Sequence, residues 1–218
     1  MTHTAAWKKT ISLLYPELAQ LPLLHPKQNQ SQHEEANLNQ QLHSLSELLQ
    51  NCTKCALHIG RSKLVFGMGN PKAKLCFVGT SPSQSDNQAG LPFQGERGEL
   101  LTKMINAIQL QREDVYLLNI VKCRPPNNRN ITHEEADACY PFLMEQFKLL
   151  SPLVIVTMGE MAAQILLRTD SPLSSLRGKT YMFENTKVFA THHPEELLKN
   201  PTLKRAAWDD LKLAKQSL

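Results

Sequence analysis

Apolar and polar positions alternate along the chain in a pattern typical of strands separated by helices. Short, continuous apolar runs predict four strands, at residues 73–78, 115–121, 153–158 and, more weakly, 187–191. Strands that are apolar throughout indicate a mostly parallel sheet covered on both faces. We therefore predict a three-layer α/β domain, with helices on either side of a central, mostly parallel four-stranded sheet.

Leucines at positions 42, 45, 48 and 49 fall at helical spacing before Asn51. Four further stretches have helical spacing, at about 98–109, 133–149, 160–168 and 201–216. Two of them carry start signals. Thr132 and Glu135 stand at capping-box spacing where the second stretch begins. Asn200 and Pro201 form a favourable N-cap and first-turn pair where the last one begins.

The N-terminal part of the chain differs in composition from the rest. Residues 1–25 include Trp7 and enough other apolar side chains for a short helix or a docking peptide. Residues 26–42 are polar and rich in Gln and Asn, which favours a flexible linker. We place the folded domain at residues 43–218. The tethered segment either binds a protein partner or packs as a helix against its own domain.

The composition is that of an ordinary globular protein and excludes a disordered or fibrous chain, with 41% hydrophobic and 20% charged residues. No apolar run reaches transmembrane length, and the N-terminus lacks the apolar run of a signal peptide. We therefore expect a cytoplasmic protein without a membrane partner. The net charge, 24 − 20 = +4, is compatible with a nucleic-acid partner but does not indicate one by itself.

Five cysteines in a cytoplasmic protein favour metal binding or catalysis over disulfides. Cys52 and Cys55 form a C-x-x-C pair, and Cys123 and Cys139 follow in the same domain. Four thiolates could bind zinc or an iron–sulfur cluster, and thiolate softness does not choose between them. Scattered buried thiols are the alternative. Cys76 lies inside a predicted strand, where we expect it to be a core residue.

Polar residues follow three of the predicted strands, at positions 79–83, 119–124 and 192–194. In parallel sheets, ligands bind beyond the carboxyl ends of the strands. The sequence therefore predicts a binding site formed by these three segments.

Residues 119–129 are the most specific stretch of the chain and read Asn-Ile-Val-Lys-Cys-Arg-Pro-Pro-Asn-Asn-Arg. This stretch resembles the family-four, iron–sulfur uracil-DNA glycosylases. The C-x-x-C pair, the segments 65–71 and 90–95 and the dipeptide His193-Pro194 are similar to further motifs of that family. The resemblance extends from Cys52 to about Leu211.

The resemblance implies the uracil-DNA glycosylase fold and a monomer that excises uracil from DNA in base excision repair. A base must leave the stack to be cut, so the pocket needs an aromatic shelf and hydrogen bonds to the base edge. By the resemblance, uracil lies against Gly79, stacks on Phe93 and is read by Asn119. His193 donates to the pyrimidine O2, where negative charge grows as uracil leaves.

The resemblance also implies a cofactor. Cys52, Cys55, Cys123 and Cys139 would hold a 4Fe-4S cluster, with zinc as the less favoured alternative. Beside these cysteines lie three basic residues that we expect to contact DNA phosphates, namely Lys122, Arg124 and Arg129. Solvated surface charge is the alternative for them.

The first active-site loop departs from the family pattern. The family carries a carboxylate there, whereas Thr80 and Ser81 occupy both candidate positions here. These two residues and His193 are the candidate catalytic positions, although neither hydroxyl can act as a base at pH 7. Asp86 is a candidate substitute. Glu195 follows His193-Pro194 where the family usually has serine, which puts a negative charge near an expected DNA phosphate.

Two functions stay open on this evidence. General-base help contributes about 10²–10⁴-fold to an enzyme's rate, so a glycosylase without it could still work slowly. Alternatively, the chain is a catalytically inactive accessory protein of the replisome. Its two termini faintly resemble the psi subunit of the bacterial DNA polymerase III clamp loader, which has this fold without glycosylase activity. That alternative requires residues 1–25 for binding a partner.

Overall fold

The computed structural model describes residues 30–218, with side chains from residue 34 onward. The chain divides into a first unit that ends at Asn51 and a second unit, Cys52–Leu218. The N-terminal segment 1–25, with Trp7, and residues 26–29 lie outside the described residues, so their predicted roles stay predictions.

The first unit contains one described helix, α1 (Gln30–Gln50). Residues 30–42 are therefore helical, which corrects the prediction of a flexible linker over them. The physical reason is local, since this stretch has no Gly or Pro and is rich in Gln, Glu and Leu, which favour helices. The second unit begins at residue 52 rather than at the predicted position 43.

The second unit is built on a six-stranded sheet in the order β1-β3-β2-β4-β6-β5. The strands are β1 (Met68–Gly69), β2 (Leu75–Gly79), β3 (Tyr116–Asn119), β4 (Val154–Met158), β5 (Tyr181–Phe183) and β6 (Thr186–Thr191). The four central strands are parallel, which confirms the predicted sheet. The two edge strands pair antiparallel and are too short to leave a hydrophobic pattern in the sequence.

Helices connect the strands and cover the sheet. They are α2 (Gln84–Ala89), α3 (Gly95–Ala107), α4 (His133–Leu150), α5 (Glu160–Leu167), α6 (Leu173–Leu176), α7 (Pro194–Lys199) and α8 (Lys204–Lys215). The four predicted helices of this unit correspond to α3, α4, α5 and α8, the last preceded by a 3₁₀ turn at Pro201–Leu203. The sequence analysis missed α2, α6 and α7, because helices of four to six residues carry almost no periodicity.

The predicted helix start at Thr132 is confirmed, whereas Asn200 caps a 3₁₀ turn and α8 itself begins at Lys204 without a side-chain cap. Thr132 Oγ1 accepts from the Glu135 backbone N–H at 3.2 Å, and the Glu135 carboxylate accepts from Thr132 N–H at 2.9 Å. Asn200 Oδ1 accepts from the Thr202 backbone N–H at 3.3 Å, which caps the 3₁₀ turn before α8.

Apolar side chains fill both faces of the sheet. One cluster joins strand residues such as Phe77, Leu117 and Phe189 to α3, α7 and α8, and a smaller cluster joins Ala190 to α5 and α6. Cys76 is 0% exposed in the middle of β2, and burial raises its thiol pKa, so it is the core residue the sequence predicts. None of the described helices is long and apolar enough to cross a membrane.

Candidate active site

The carboxyl ends of the parallel strands bring the predicted site segments together. Gly79 and Asn119 are register partners at the ends of β2 and β3. The ladder continues past the strands, because Ile120 N–H donates to the Gly79 carbonyl at 2.9 Å and Val121 N–H donates to the Thr80 carbonyl at 3.1 Å. On the other side, β6 ends at Thr191 beside β4, so the segment 192–194 reaches the same edge.

Gly79 separates the Asn119 amide from the Phe93 ring. A Cβ atom placed on this glycine would lie 2.4 Å from Asn119 Oδ1 and 2.8 Å from Phe93 Cζ. Both distances are shorter than van der Waals contact, so only glycine leaves this slot open. The predicted neighbours Gly79, Phe93 and Asn119 are thus brought together.

Phe93 is held in a strained conformation that fixes its ring. Its φ of 55° is in the left-handed region, which is unfavourable for an aromatic residue. Arg112 holds the loop by donating from Nη2 to the Phe93 carbonyl at 3.0 Å and to the Pro92 carbonyl at 3.2 Å. Gly98 permits this arrangement, because a Cβ there would lie 1.7 Å from the Phe93 carbonyl oxygen. Arg112 is a supporting residue that the sequence analysis missed.

Asn119 presents an unpartnered amide inside the protein. The residue is 1% exposed, and its Nδ2 finds no acceptor among the described residues. A buried donor without an acceptor costs about 1–3 kcal/mol. Asn119 is also fixed from its backbone, since the Lys122 ammonium donates to its carbonyl at 2.6 Å. An unsatisfied and immobile donor of this kind fits a ligand that brings its own acceptor.

His193 is a neutral hydrogen-bond donor. Its Nδ1 accepts from the Glu195 backbone N–H at 3.2 Å, so the ring proton resides on Nε2. Burial, together with a smaller effect of the nearby positive charge of Arg97, lowers the imidazole pKa to about 4. The ring centroid lies 6.3 Å from that of Phe93. At neutral pH the Nε2–H group is therefore available next to the aromatic shelf.

An open cavity of about 370 Å³ adjoins these residues. Among the predicted site residues it is lined by Thr80, Ser81, Arg129 and His193, while Phe93 and Asn119 lie outside its lining. Its wall also includes charged side chains that the sequence analysis did not assign to a cavity, namely Arg97, Glu160, Glu195, Glu196 and Lys199.

Asp86 does not replace the missing carboxylate. It is 2% exposed and completes a capping box at the start of α2, where its Oδ2 accepts from Ser83 N–H at 2.9 Å. Its Oδ1 accepts from Gln94 N–H at 2.7 Å. Its carboxylate is buried and does not line the cavity, so it is not placed to bind a water molecule there. The spacing of Ser83 and Asp86 is a capping-box signal that the sequence already carried.

Of the three predicted phosphate contacts, the prediction for Lys122 is wrong. It is 1% exposed, and its ammonium lies against the Asn119 carbonyl, so it cannot reach DNA at the surface. Burial lowers its pKa to about 8. Arg124 donates to Asn128 Oδ1 at 2.8 Å, and Arg129 makes a two-pronged contact with Glu135 at 2.6 and 2.8 Å. Arg124 and Arg129 stay candidates for contacts to DNA phosphates.

The four predicted metal ligands are close enough to affect one another electrostatically. Burial raises the pKa of the Cys55 thiol, and Cys123 and Cys52 raise it further. Burial likewise raises the pKa of Cys139, with added contributions from Cys123 and Cys55. Arg61 Nη1 donates to Cys123 Sγ at 3.4 Å. Within the described residues, no group of three or more His, Cys, Asp or Glu side chains is arranged around a metal position.

Comparison with known proteins assigns the chain to a family. Residues 66–212 match the uracil DNA glycosylase superfamily. A type-4 uracil-DNA glycosylase of Archaeoglobus fulgidus is 40% identical over 75% of this chain and 86% of its own length. Those of Pyrobaculum aerophilum and Thermotoga maritima are 38% and 39% identical, each over 78% of this chain and 91% of its own length. The chain belongs to the uracil DNA glycosylase superfamily. The three relatives named above are type-4 uracil-DNA glycosylases.

Proposed function

We propose that this protein excises uracil from DNA by hydrolysing the N-glycosidic bond, the first step of base excision repair. The observation that carries the proposal is the buried, unpartnered Nδ2 of Asn119, held beside Gly79 and the Phe93 ring. The similarity to several proteins named type-4 uracil-DNA glycosylases supports the same function and does not favour the inactive clamp-loader alternative.

Asn119 reads the edge of the flipped base. Its Nδ2–H group donates to the uracil O4, and its Oδ1 accepts from the neighbouring N3–H. Cytosine has an amino group in place of O4, so its N–H donor would face the Nδ2–H donor of Asn119. The Phe93 ring supplies the stacking surface, and the Arg112 hydrogen bonds to its loop keep that surface in place.

His193 supports the leaving group. As the bond between C1′ of the sugar and N1 of uracil breaks, negative charge moves onto the base and is shared with O2. The neutral Nε2–H of His193 donates to O2 without giving up its proton. The oxygen of a water molecule bonds to C1′ and passes one proton to solvent, and the released uracil anion takes a proton from solvent.

No carboxylate from the loop at residues 80–83 takes part in this step. The hydroxyls of Thr80 and Ser81 line the cavity and can hold a water molecule near the sugar, but they do not remove its proton at pH 7. The reaction therefore depends on stabilising the leaving group, and the attack of water is weakly assisted.

We propose that Cys52, Cys55, Cys123 and Cys139 hold a 4Fe-4S cluster, with zinc as the less favoured alternative. The four-thiol donor set, the mutual effects on thiol pKa and the Arg61 donor toward Cys123 support the assignment. The cluster would supply a structural link between the C-x-x-C segment and the loop after β3, because hydrolysis transfers no electrons. Protein purified under argon is expected to be brown and to contain about four irons per chain. A colourless preparation loaded with zinc would contradict the cluster.

The substrate contacts outside the pocket follow from the same proposal. Arg124 and Arg129, in the loop after β3, are proposed to contact phosphates of DNA that contains uracil. Arg129 supports this role because it is 42% exposed and lines the cavity. A protein partner for residues 1–25 stays a prediction.

Single-turnover excision tests the function directly. Iron-loaded protein in excess is mixed with a uracil-containing oligonucleotide, beside a His193→Ala variant. We expect uracil release by the native protein and a rate about 10²–10³-fold lower in the variant, the usual loss when one such donor is removed. Folded, iron-loaded protein that releases no uracil would overturn the proposal.

A further inference from the structure

Glu195 joins two cations at the wall of the cavity. Its Oε2 accepts from Arg97 Nη1 at 3.2 Å, and its Oε1 accepts from Lys199 Nζ at 2.8 Å. Arg97 belongs to α3, whereas Glu195 and Lys199 belong to α7. All three side chains line the same cavity as Thr80, Ser81 and His193. One carboxylate thus bridges a guanidinium and an ammonium beside the reacting centre.

The guanidinium of Arg97 is fixed independently of Glu195. Its Nη2 lies 3.6 Å from Asp86 Oδ2, and that carboxylate is itself anchored by two backbone N–H groups. The Arg97 side chain is 21% exposed, so one edge still faces the cavity. If Glu195 moved away, Arg97 would stay in place as an anion-binding group. Lys199, which is 74% exposed, can follow any anion that binds there.

The bridging position suits a phosphate as well as a carboxylate. Guanidinium groups bind phosphate oxygens in pairs, and a lysine adds a mobile point charge. Glu195 is 44% exposed, and ion pairs with that much exposure to solvent are weak. A phosphate of DNA carries its charge on two free oxygens and is held by the rest of the duplex, so it can displace such a carboxylate.

We infer that Arg97 and Lys199 form a binding site for one DNA phosphate next to the flipped nucleotide, and that Glu195 occupies this site in the free protein as an internal competitor. The inference rests on the proposed function, because it places the phosphate beside the base pocket. It gives a role to Glu195, the residue that stands where the family usually has serine.

The test is the affinity of full-length, iron-loaded protein for a duplex whose uracil nucleotide carries a 2′-fluorine, which prevents cleavage of the glycosidic bond. We expect Glu195→Gln to bind this duplex about three- to tenfold more tightly, because two weak ion pairs no longer have to be broken. The substitution keeps the backbone N–H that His193 Nδ1 accepts.

Asp209 provides the matched control. It is 49% exposed, and its carboxylate also bridges two cations, Arg205 at 3.4 Å and Lys212 at 2.8 Å, on α8. None of these three residues belongs to the cavity wall. Asp209→Asn removes the same charge and is expected to change the affinity less than twofold. Equal effects of Glu195→Gln and Asp209→Asn would mean that only net charge matters and would overturn the inference.

Two further variants locate the phosphate. Adding Lys199→Gln to Glu195→Gln is expected to remove part of the gain in affinity, and adding Arg97→Gln is expected to remove most of it. Lys199 is exposed, so its substitution does not endanger folding. A gain that survives both additions would place the phosphate elsewhere. If the native protein cleaves ordinary uracil DNA but Glu195→Gln binds the uncleavable duplex no more tightly than the native protein, this inference alone is contradicted. If the native protein does not cleave uracil DNA, the proposed function is contradicted.

Discussion

On one side of the site, Gly79, Phe93 and Asn119 are each held by the backbone around them, and on the other side the loop at residues 80–83 presents hydroxyls to an open cavity. In the proposed function, the first side reads the base and the second faces the water that attacks the sugar. The side proposed to read the base is closely packed around Gly79, whereas the side proposed to face the water has hydroxyls where the family pattern has a carboxylate. The difference suggests that selectivity and rate can be separated within one pocket.

The largest effect in this comparison is expected from Asn119→Asp. The carboxylate keeps the size of the amide but replaces the Nδ2–H donor with a second acceptor, which opposes the uracil O4. A lost two-point contact to a base edge costs about 1–3 kcal/mol, or about 5–150-fold in the single-turnover rate. The measurement is uracil release with protein in excess. An unchanged rate would remove Asn119 from the base-reading side.

A smaller effect is expected from Lys122→Met, which tests the support behind Asn119. Methionine fills the buried space but cannot donate to the Asn119 carbonyl. We expect a loss of about three- to tenfold in affinity for the uncleavable uracil duplex, equivalent to one hydrogen bond. The affinity for a duplex without uracil should not change, and the iron content should stay at the native value. An equal loss for both duplexes would mean that Lys122 supports the fold in general.

The pH behaviour of His193 sharpens the same comparison. Because burial lowers its pKa to about 4, the imidazole is neutral over the whole range above pH 5. In the unfolded chain it takes up a proton near pH 6.5, so its contribution to stability is complete above that pH and is lost as the pH falls toward 4. An NMR titration, with His193→Gln to assign the resonance, should show no protonation between pH 8 and pH 5. A midpoint near 6.5 would contradict the buried, neutral donor.

The smallest effects are expected on the water side. Thr80→Val and Ser81→Ala remove hydroxyls that cannot act as bases, so each should lower the single-turnover rate by less than about threefold. General-base catalysis is worth about 10²–10⁴-fold, so a loss of that size in either variant would reveal an activating role. The circular dichroism spectrum of each variant provides the control for folding.

The central strands and the helix caps were predictable from the sequence. Side-chain contacts between residues far apart in the sequence were not. The strands at β2, β3 and β4 are continuous apolar runs, and the capping pairs at Thr132 and Asn200 are local signals. The burial of Lys122 had no such signal, because a lysine beside two arginines resembles surface charge. The capping role of Asp86 was predictable, since Ser83 stands three residues before it, at capping-box spacing. The pairing of Arg97 with Glu195 joins residues far apart in sequence, and only the packing of α3 beside α7 brings it about.

The core thiol of Cys76 makes the protein its own stability reporter. It is enclosed in the central strand and held in its protonated form, so an alkylating reagent can reach it only when the sheet as a whole opens. The rate at which this one cysteine is labelled, followed by mass spectrometry, therefore counts global opening events under native conditions. The other four thiols are the proposed cluster ligands, so in iron-loaded protein their labelling would instead follow loss of the cluster. One reagent can therefore separate the opening of the sheet from release of the iron.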